Sequence, residues 1–217
     1  MTRTCAVLAV VLGLAVSESF GGPATIVPLE AADESTETEW EFALSISTYL
    51  AQHARDYANP NFTADHDWLH LEARYNYEAL KTGSLWLGYN FSVGKKLILE
   101  ATPMIGGVFG DITGIAPGYA ISISYEPIEF FTQGEYFFDS AIHAGDFLYT
   151  WSELSYAPAS WCKVGVVVDR TKALGSSIDI RRGPLVGFKY KKVDFTTYRL
   201  SPGTRDGTFI FAVTVNF

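Results

Sequence analysis

The sequence predicts an all-β chain closed into a single antiparallel transmembrane β-barrel of about twelve strands, with ten as the alternative count. Three observations lead there. From residue 39 to the end, apolar and polar residues alternate with period two in segments separated by turn residues. Where the alternation is clearest, one face is aromatic and aliphatic while the other carries charges in succession. The first 24 residues, MTRTCAVLAVVLGLAVSESFGGPA, place Arg3 before the apolar stretch Ala6 to Val16 and small residues after it, the pattern of a cleaved export signal. That apolar stretch is too short to cross a bilayer as a mature helix.

Composition agrees with close interleaving of the two residue classes. Charged residues make up only 18% and aromatics 15%, yet the mean hydropathy is just +0.11. The net charge of −8 argues against a nucleic-acid partner, and no basic run with interleaved aromatics occurs. Loss of residues 1–24 would leave Cys162 as the one cysteine, so no intrachain disulfide can form. Residues 25–38 belong to an acidic stretch poor in large apolar groups, which predicts a flexible leader before a barrel domain over 39–217.

Taken in order, EWEFALSISTYL (39–50) sets Trp40, Phe42, Leu44 and Ile46 on one face. WLHLEARYNYE (68–78) alternates Leu69, Leu71, Ala73, Tyr75 and Tyr77 against His70, Glu72, Arg74, Asn76 and Glu78. SLWLGYNFS (84–92), LILEATPMIGG (97–107), GYAISISYE (118–126) and IEFFTQGEYFF (128–138) follow. FLYTWSELSY (147–156), WCKVGVVVDR (161–170), IDIRRGPLVGFKY (178–190), VDFTTYRL (193–200) and TFIFAVTVNF (208–217) complete eleven clear strands. Connections alternate between tight and long, and the long ones are rich in Gly, Asp and Ser. Only 51–67 breaks that alternation, so YANPNFTA (57–64) is read as a twelfth strand despite Pro60. Three further prolines, Pro103, Pro117 and Pro184, fall inside expected strands and predict bulges or strand ends. Arg182 falls on the apolar face, which predicts a bulge near Gly183 or a position at the rim.

The export signal, the alternation and the terminal strand ending on Phe217 resemble the bacterial outer-membrane β-barrel proteins as a broad class, over roughly residues 39–217. That resemblance implies an outer-membrane location, contact with outer-membrane lipids and transit with periplasmic chaperones. It also implies recognition by the β-barrel assembly machinery through the last strand, with Phe217 as its signal. Closure of the barrel by that strand would satisfy every backbone group in lipid. The connections 51–56, 79–83, 108–115, 139–146, 171–177 and 201–207 are expected on the outer side.

If the alternation holds, the inward charged and polar residues include Glu72, Arg74, Glu100, Gln133, Glu135, Glu153, Lys163, Arg181 and Lys189. Ala116, Gly118, Ala120, Ser122 and Ser124 form a wall of small groups. Arg74 is the expected central cation, among Glu72, Asn76, Glu100, Glu135 and Glu153. Two readings fit. The first is a narrow channel for passive diffusion of small polar neutral or cationic solutes, since acids outnumber bases and no arginine–lysine ladder suited to acidic oligosaccharides is present. The alternative is a non-conducting structural or adhesive barrel with a salt-bridged interior.

Enzymatic chemistry finds little support. Serine hydrolysis needs a serine, a histidine and an orienting acid in contact, whereas His53, His66, His70 and His143 accompany no G-x-S-x-G. A lipid hydrolase is the least favoured reading. Asp65-His66-Asp67 is read as a polar turn, and AIHAGD around His143 as an outer loop. Cys162 alternates with Val164, Val166 and Val168 and should face lipid. Neither a metal centre nor a cofactor is expected.

Overall fold

The computed structural model describes residues 39–140, 145–205 and 207–217. The expected export signal (1–24), the leader (25–38) and His143 lie outside the described residues.

Every regular element among the described residues is a strand. In chain order they are β1 (Glu41–Ala51), β2 (Tyr57–His66), β3 (Leu69–Tyr75), β4 (Thr82–Tyr89), β5 (Phe91–Gly94), β6 (Ile98–Gly110) and β7 (Gly114–Tyr125). They continue with β8 (Ile128–Asp139), β9 (Phe147–Ala159), β10 (Cys162–Ala173), β11 (Asp179–Tyr190), β12 (Val193–Leu200) and β13 (Thr208–Asn216). Apart from β4 and β5, which both pair with β6, strands adjacent in sequence pair antiparallel, and β1 pairs with β13 from Ala43 opposite Asn216 to Ala51 opposite Thr208. The barrel is therefore closed by its first and last strands, with no free edge.

Thirteen segments make twelve staves. Gly88 of β4 lies opposite Met104, and Phe91 of β5 lies opposite Ala101. Both pairs keep one register against β6, so β5 continues β4. The interruption falls opposite Pro103, which has no N–H to give.

The other prolines act the same way, and here the expectation of bulges or strand ends is corrected. Each sits within its strand, at a local gap in one ladder. β2 and β3 pair up to Asn61 opposite Arg74, one residue short of Pro60. The β7–β8 pairing skips Ala116 and Pro117 without changing register. The β11–β12 ladder starts at Leu185, beside Pro184. A missing donor thus costs one bond on one side, and the neighbouring strand is not displaced. Arg182 likewise needs no bulge, because β10 and β11 pair without a register shift from Cys162–Phe188 to Thr171–Asp179. Its carbonyl accepts from Ser201 N–H, so Arg182 is level with the loop-end limit of β12.

One end of the barrel carries the short turns and both ends of the described chain; the other carries the connections that follow β1, β3, β6, β8, β10 and β12. We name these the terminal end and the loop end. The outward face carries an apolar band: Leu85, Leu87, Ile105, Ile115, Val166 and Phe211 are all exposed. Exposed aromatics flank this band, with Trp68, Tyr125, Trp161 and Tyr190 toward the terminal end and Tyr75, Phe109 and Phe138 toward the loop end. That distribution suits a hydrocarbon layer between two interfaces.

β3 is shorter than expected. It ends at Tyr75, because Asn76 takes a left-handed backbone conformation (φ 59°), which a short polar side chain tolerates. Its side chain fixes the turn, with Nδ2 donating to Ala58 O at 2.8 Å and Oδ1 accepting from Lys81 N–H at 2.7 Å. Period two stops there. Tyr77, expected on the apolar outer face, is instead carried inside.

Candidate functional site

The interior is divided into layers. Toward the loop end two apolar clusters occupy part of it. One joins Trp86, Met104, Val108, Ala116 and Phe137; the other joins Trp151, Val167, Leu185, Leu200 and Ile210. Inward parity alone locates these residues, but an expectation of a polar lumen does not. Trp86 shows how the small-residue wall is used: its indole lies against Gly106, where a Cβ would approach the ring to 2.5 Å, and against Gly118 at 2.9 Å.

Between the clusters runs a chain of polar side chains. Arg74 is 7% exposed. Its Nη2 donates to Glu72 Oε2 at 2.6 Å and its Nη1 to Glu135 Oε2 at 2.9 Å. The guanidinium lies between two rings, 4.4 Å from the Tyr77 centroid and 4.2 Å from Trp86. Glu72 also accepts from Asn61 Nδ2 at 2.6 Å. Farther toward the terminal end, His70 Nδ1 is 2.7 Å from Asp65 Oδ1, which also accepts from Asn90 Nδ2 at 2.6 Å. Of the partners expected for Arg74, Glu72 and Glu135 hold it. Asn76 turns away, and Glu153 accepts from Trp151 Nε1 and Tyr198 Oη at 2.7 and 2.9 Å. Glu100 lies nearer the terminal end, level with Ser92 and Ser122.

The described residues border two cavities of note. A vestibule of about 490 Å³ is bordered at the terminal end by Lys163, Lys189, Asp194 and Trp161, and deeper in by Glu129, Gln133 and Glu153. A smaller cavity of about 160 Å³ is bordered by Tyr57, Glu78, Glu135, Asp169 and Arg181 on the loop side. Arg181 donates to Asp169 at 2.5 Å. Tyr49, Asn59, Tyr77 and Tyr149 border both cavities. These tyrosines are braced: Tyr49 stacks on Tyr57 at 4.5 Å, Tyr77 meets Tyr149 edge-on at 5.6 Å, and Gln133 Nε2 donates to Tyr77 Oη at 2.6 Å. Among the residues expected inside, Gln133, Glu153, Lys163 and Lys189 border the vestibule, Glu135 and Arg181 the loop-side cavity, and Glu100 neither of the two.

Sequence reasoning missed the tyrosine layer. Tyr49 and Tyr149 share the inward parity of Ser47 and Trp151, so parity alone marks them. Tyr77 carries no such signal, because its orientation depends on the turn at Asn76.

No protein-family model matches the sequence, and no curated protein matches it. Solved structures do. The KdgM porin superposes with a TM-score of 0.55 at 10% identity, covering 81% of this chain and 99% of that one. The KdgM porin in complex with disordered oligogalacturonate gives 0.53 at 9% identity, over 81% and 98%. At such identities the likeness concerns architecture, and with the closed twelve-stave wall and its apolar belt it gives this chain the fold of the bacterial outer-membrane β-barrels.

Proposed function

We propose that the protein is an outer-membrane channel of narrow bore for small polar solutes, neutral or cationic. One observation carries this reading: cavities on the two sides of the barrel interior abut the same layer of tyrosines. A single layer of side chains thus separates two spaces along one axis. Charge gives the selectivity. Around the vestibule Glu129, Glu153 and Asp194 face Lys163 and Lys189; around the loop-side cavity Glu78, Glu135 and Asp169 face Arg181. Carboxylates are in excess on both sides, and a low-dielectric wall focuses their field. A polyanion such as the oligogalacturonate of the KdgM complex would meet repulsion here. Planar-bilayer recording of the refolded protein should show small single-channel steps with a reversal potential shifted toward the cation. Silence at every voltage would refute the channel.

The second reading, a non-conducting structural barrel, has its own support in the buried Arg74 group and the two apolar clusters of the loop half. Hydrolysis has none. His70 pairs with Asp65 through Nδ1, and its Nε2 is 3.6 Å from Glu72 rather than beside a serine hydroxyl.

The expected orientation puts the loop end outside. Cysteines introduced at Ser140 and Gly175 in a Cys162→Ser protein should react with an impermeant maleimide on intact cells, while one at Ser160 should not. Labelling at Ser160 alone would show the opposite orientation.

A further inference from the structure

We propose that a basic patch on the lipid-facing side of β10, β11 and β12 binds the phosphate groups of a bis-phosphorylated glycolipid of the lipid A class. The proposal goes beyond conduction. It rests on the loop end facing outside, and a barrel that never conducts leaves it standing.

Strand alternation places the patch. Val167, Asp169, Leu185 and Leu200 are buried inside, so Arg170 and Lys172 of β10, Arg182 of β11 and Arg199 of β12 take outward positions. Arg170, Lys172 and Arg182 are exposed, and Arg199 is half-buried. Among the described strands no other outward position carries Lys or Arg, and the outward positions of β9 to β13 hold no Asp or Glu. The acids nearest in the chain, Asp169 and Asp179, share the inward parity of Arg181, and Asp169 is bonded to it.

Register sets the spacing. Arg170 lies opposite Ile180, two residues from Arg182 on the same face. Arg182 O accepts from Ser201 N–H, and Arg199 stands two residues before Ser201. Each arginine is therefore the diagonal neighbour of the next, with about 7–8 Å between them. Guanidinium forks at that spacing suit phosphate oxygens. Two diagonal steps reach beyond a single phosphate and favour a headgroup that carries two.

The depth of these charges is an independent observation. Arg182 is the fourth residue of β11, counted from the loop end, and Arg199 is the last outward residue of β12. The Arg199 guanidinium lies 4.2 Å from the ring centroid of Phe209, at the start of β13. Cations on the lipid face of a barrel destabilise it at mid-depth and are tolerated near the interface, where anionic headgroups supply the countercharge. Among the described residues none of the three arginines forms an ion pair with a carboxylate, and Lys172 donates to Ser176 O. Toward mid-depth the same three strands expose Val166, Val186 and Phe195, a surface for acyl chains directly beside the phosphate donors. A free phosphate would use only half of this surface; a lipid uses all of it.

The full chain, refolded in a maltoside detergent and titrated with bis-phosphorylated lipid A, should show one saturable lipid adduct in native mass spectrometry. Arg170→Gln, Arg182→Gln and Arg199→Gln should each weaken it about fivefold, and the triple variant about 100-fold, the weight of one basic residue near an anionic surface taken three times. Lys191→Gln, in the turn between β11 and β12 at the terminal end, should leave it unchanged. Phosphatidylglycerol, with one phosphate, should bind more weakly, and inorganic phosphate should not displace the lipid. Wild-type affinity in all three single variants, or in a triple variant whose circular dichroism still reports the barrel, overturns the site. Phosphatidylglycerol binding as tightly as lipid A, or displacement by inorganic phosphate, also overturns it. Surface labelling at Ser160 alone would put the patch in the other leaflet and overturn it too, whereas electrical silence would refute only the channel.

Discussion

Arg74→Ala should destabilise the barrel by about 3–5 kcal/mol in urea unfolding from detergent, the cost of breaking a desolvated ion group from one side. Its carboxylate partners explain the size of the effect. Glu72 and Glu135 are 8% and 4% exposed, so the acids left behind are out of reach of bulk water. In a wide aqueous lumen the same substitution would cost under about 1 kcal/mol, because water screens such pairs. Stacking between Tyr77 and Trp86 adds to the loss, by about 0.5–2 kcal/mol for each cation–π contact. Lysine should not rescue the variant, since one ammonium group cannot reproduce two forked contacts and two ring faces. Arg74→Met combined with Glu72→Gln and Glu135→Gln should recover much of the stability, because no charge then stays orphaned. If Arg74→Ala unfolds like the wild type, the centre of the barrel is wet and the interior described above is wrong.

Much of this architecture was readable because a membrane barrel imposes period two on every stave. The strand over 57–64, inferred from parity of the connections alone, is β2, and the last strand pairs with the first. What escaped lies where the period stops or where polarity ceases to mark the inside. Asn76, in a left-handed conformation, ends β3 and reverses the face of Tyr77, and nothing in WLHLEARYNYE announces that break. The prolines misled in the other direction. A strand paired on two sides can lose one donor and hold its register through the remaining bonds, as β7 does at Pro117. The interior of the loop half was hidden for a third reason. Val167, Leu185, Leu200 and Ile210 occupy inward positions, but an apolar residue in a barrel strand is naturally assigned to lipid. Arg74 was legible because its strand alternates cleanly. Its second carboxylate, 61 positions away on β8, could be named only as one acid among several.

Replacing both Tyr77 and Tyr149 by alanine should raise single-channel conductance severalfold, because it removes two of the three tyrosines in the layer that both cavities share. The two rings lean on each other at 5.6 Å, so a single substitution lets the survivor relax into the gap; the double variant prevents that. Ring bulk and the phenolic group are separable. Tyr77→Phe loses the bond from Gln133 but keeps the ring over Arg74, so its conductance should stay close to that of the wild type. Tyr57→Ala is the control, since Tyr57 borders only the loop-side cavity, and it should change conductance little. The widened passage should also favour cations more strongly than the wild type. Glu78, Glu135 and Asp169 would then share one continuous lumen with Glu129 and Glu153, and fixed carboxylates along a pore exclude anions. Far-UV circular dichroism would confirm that each variant still forms the barrel. Equal conductance in the wild type and in a folded double variant would show that the tyrosine layer does not limit flow. Silence in both would mean that the apolar clusters of the loop half seal the barrel, as the structural reading requires.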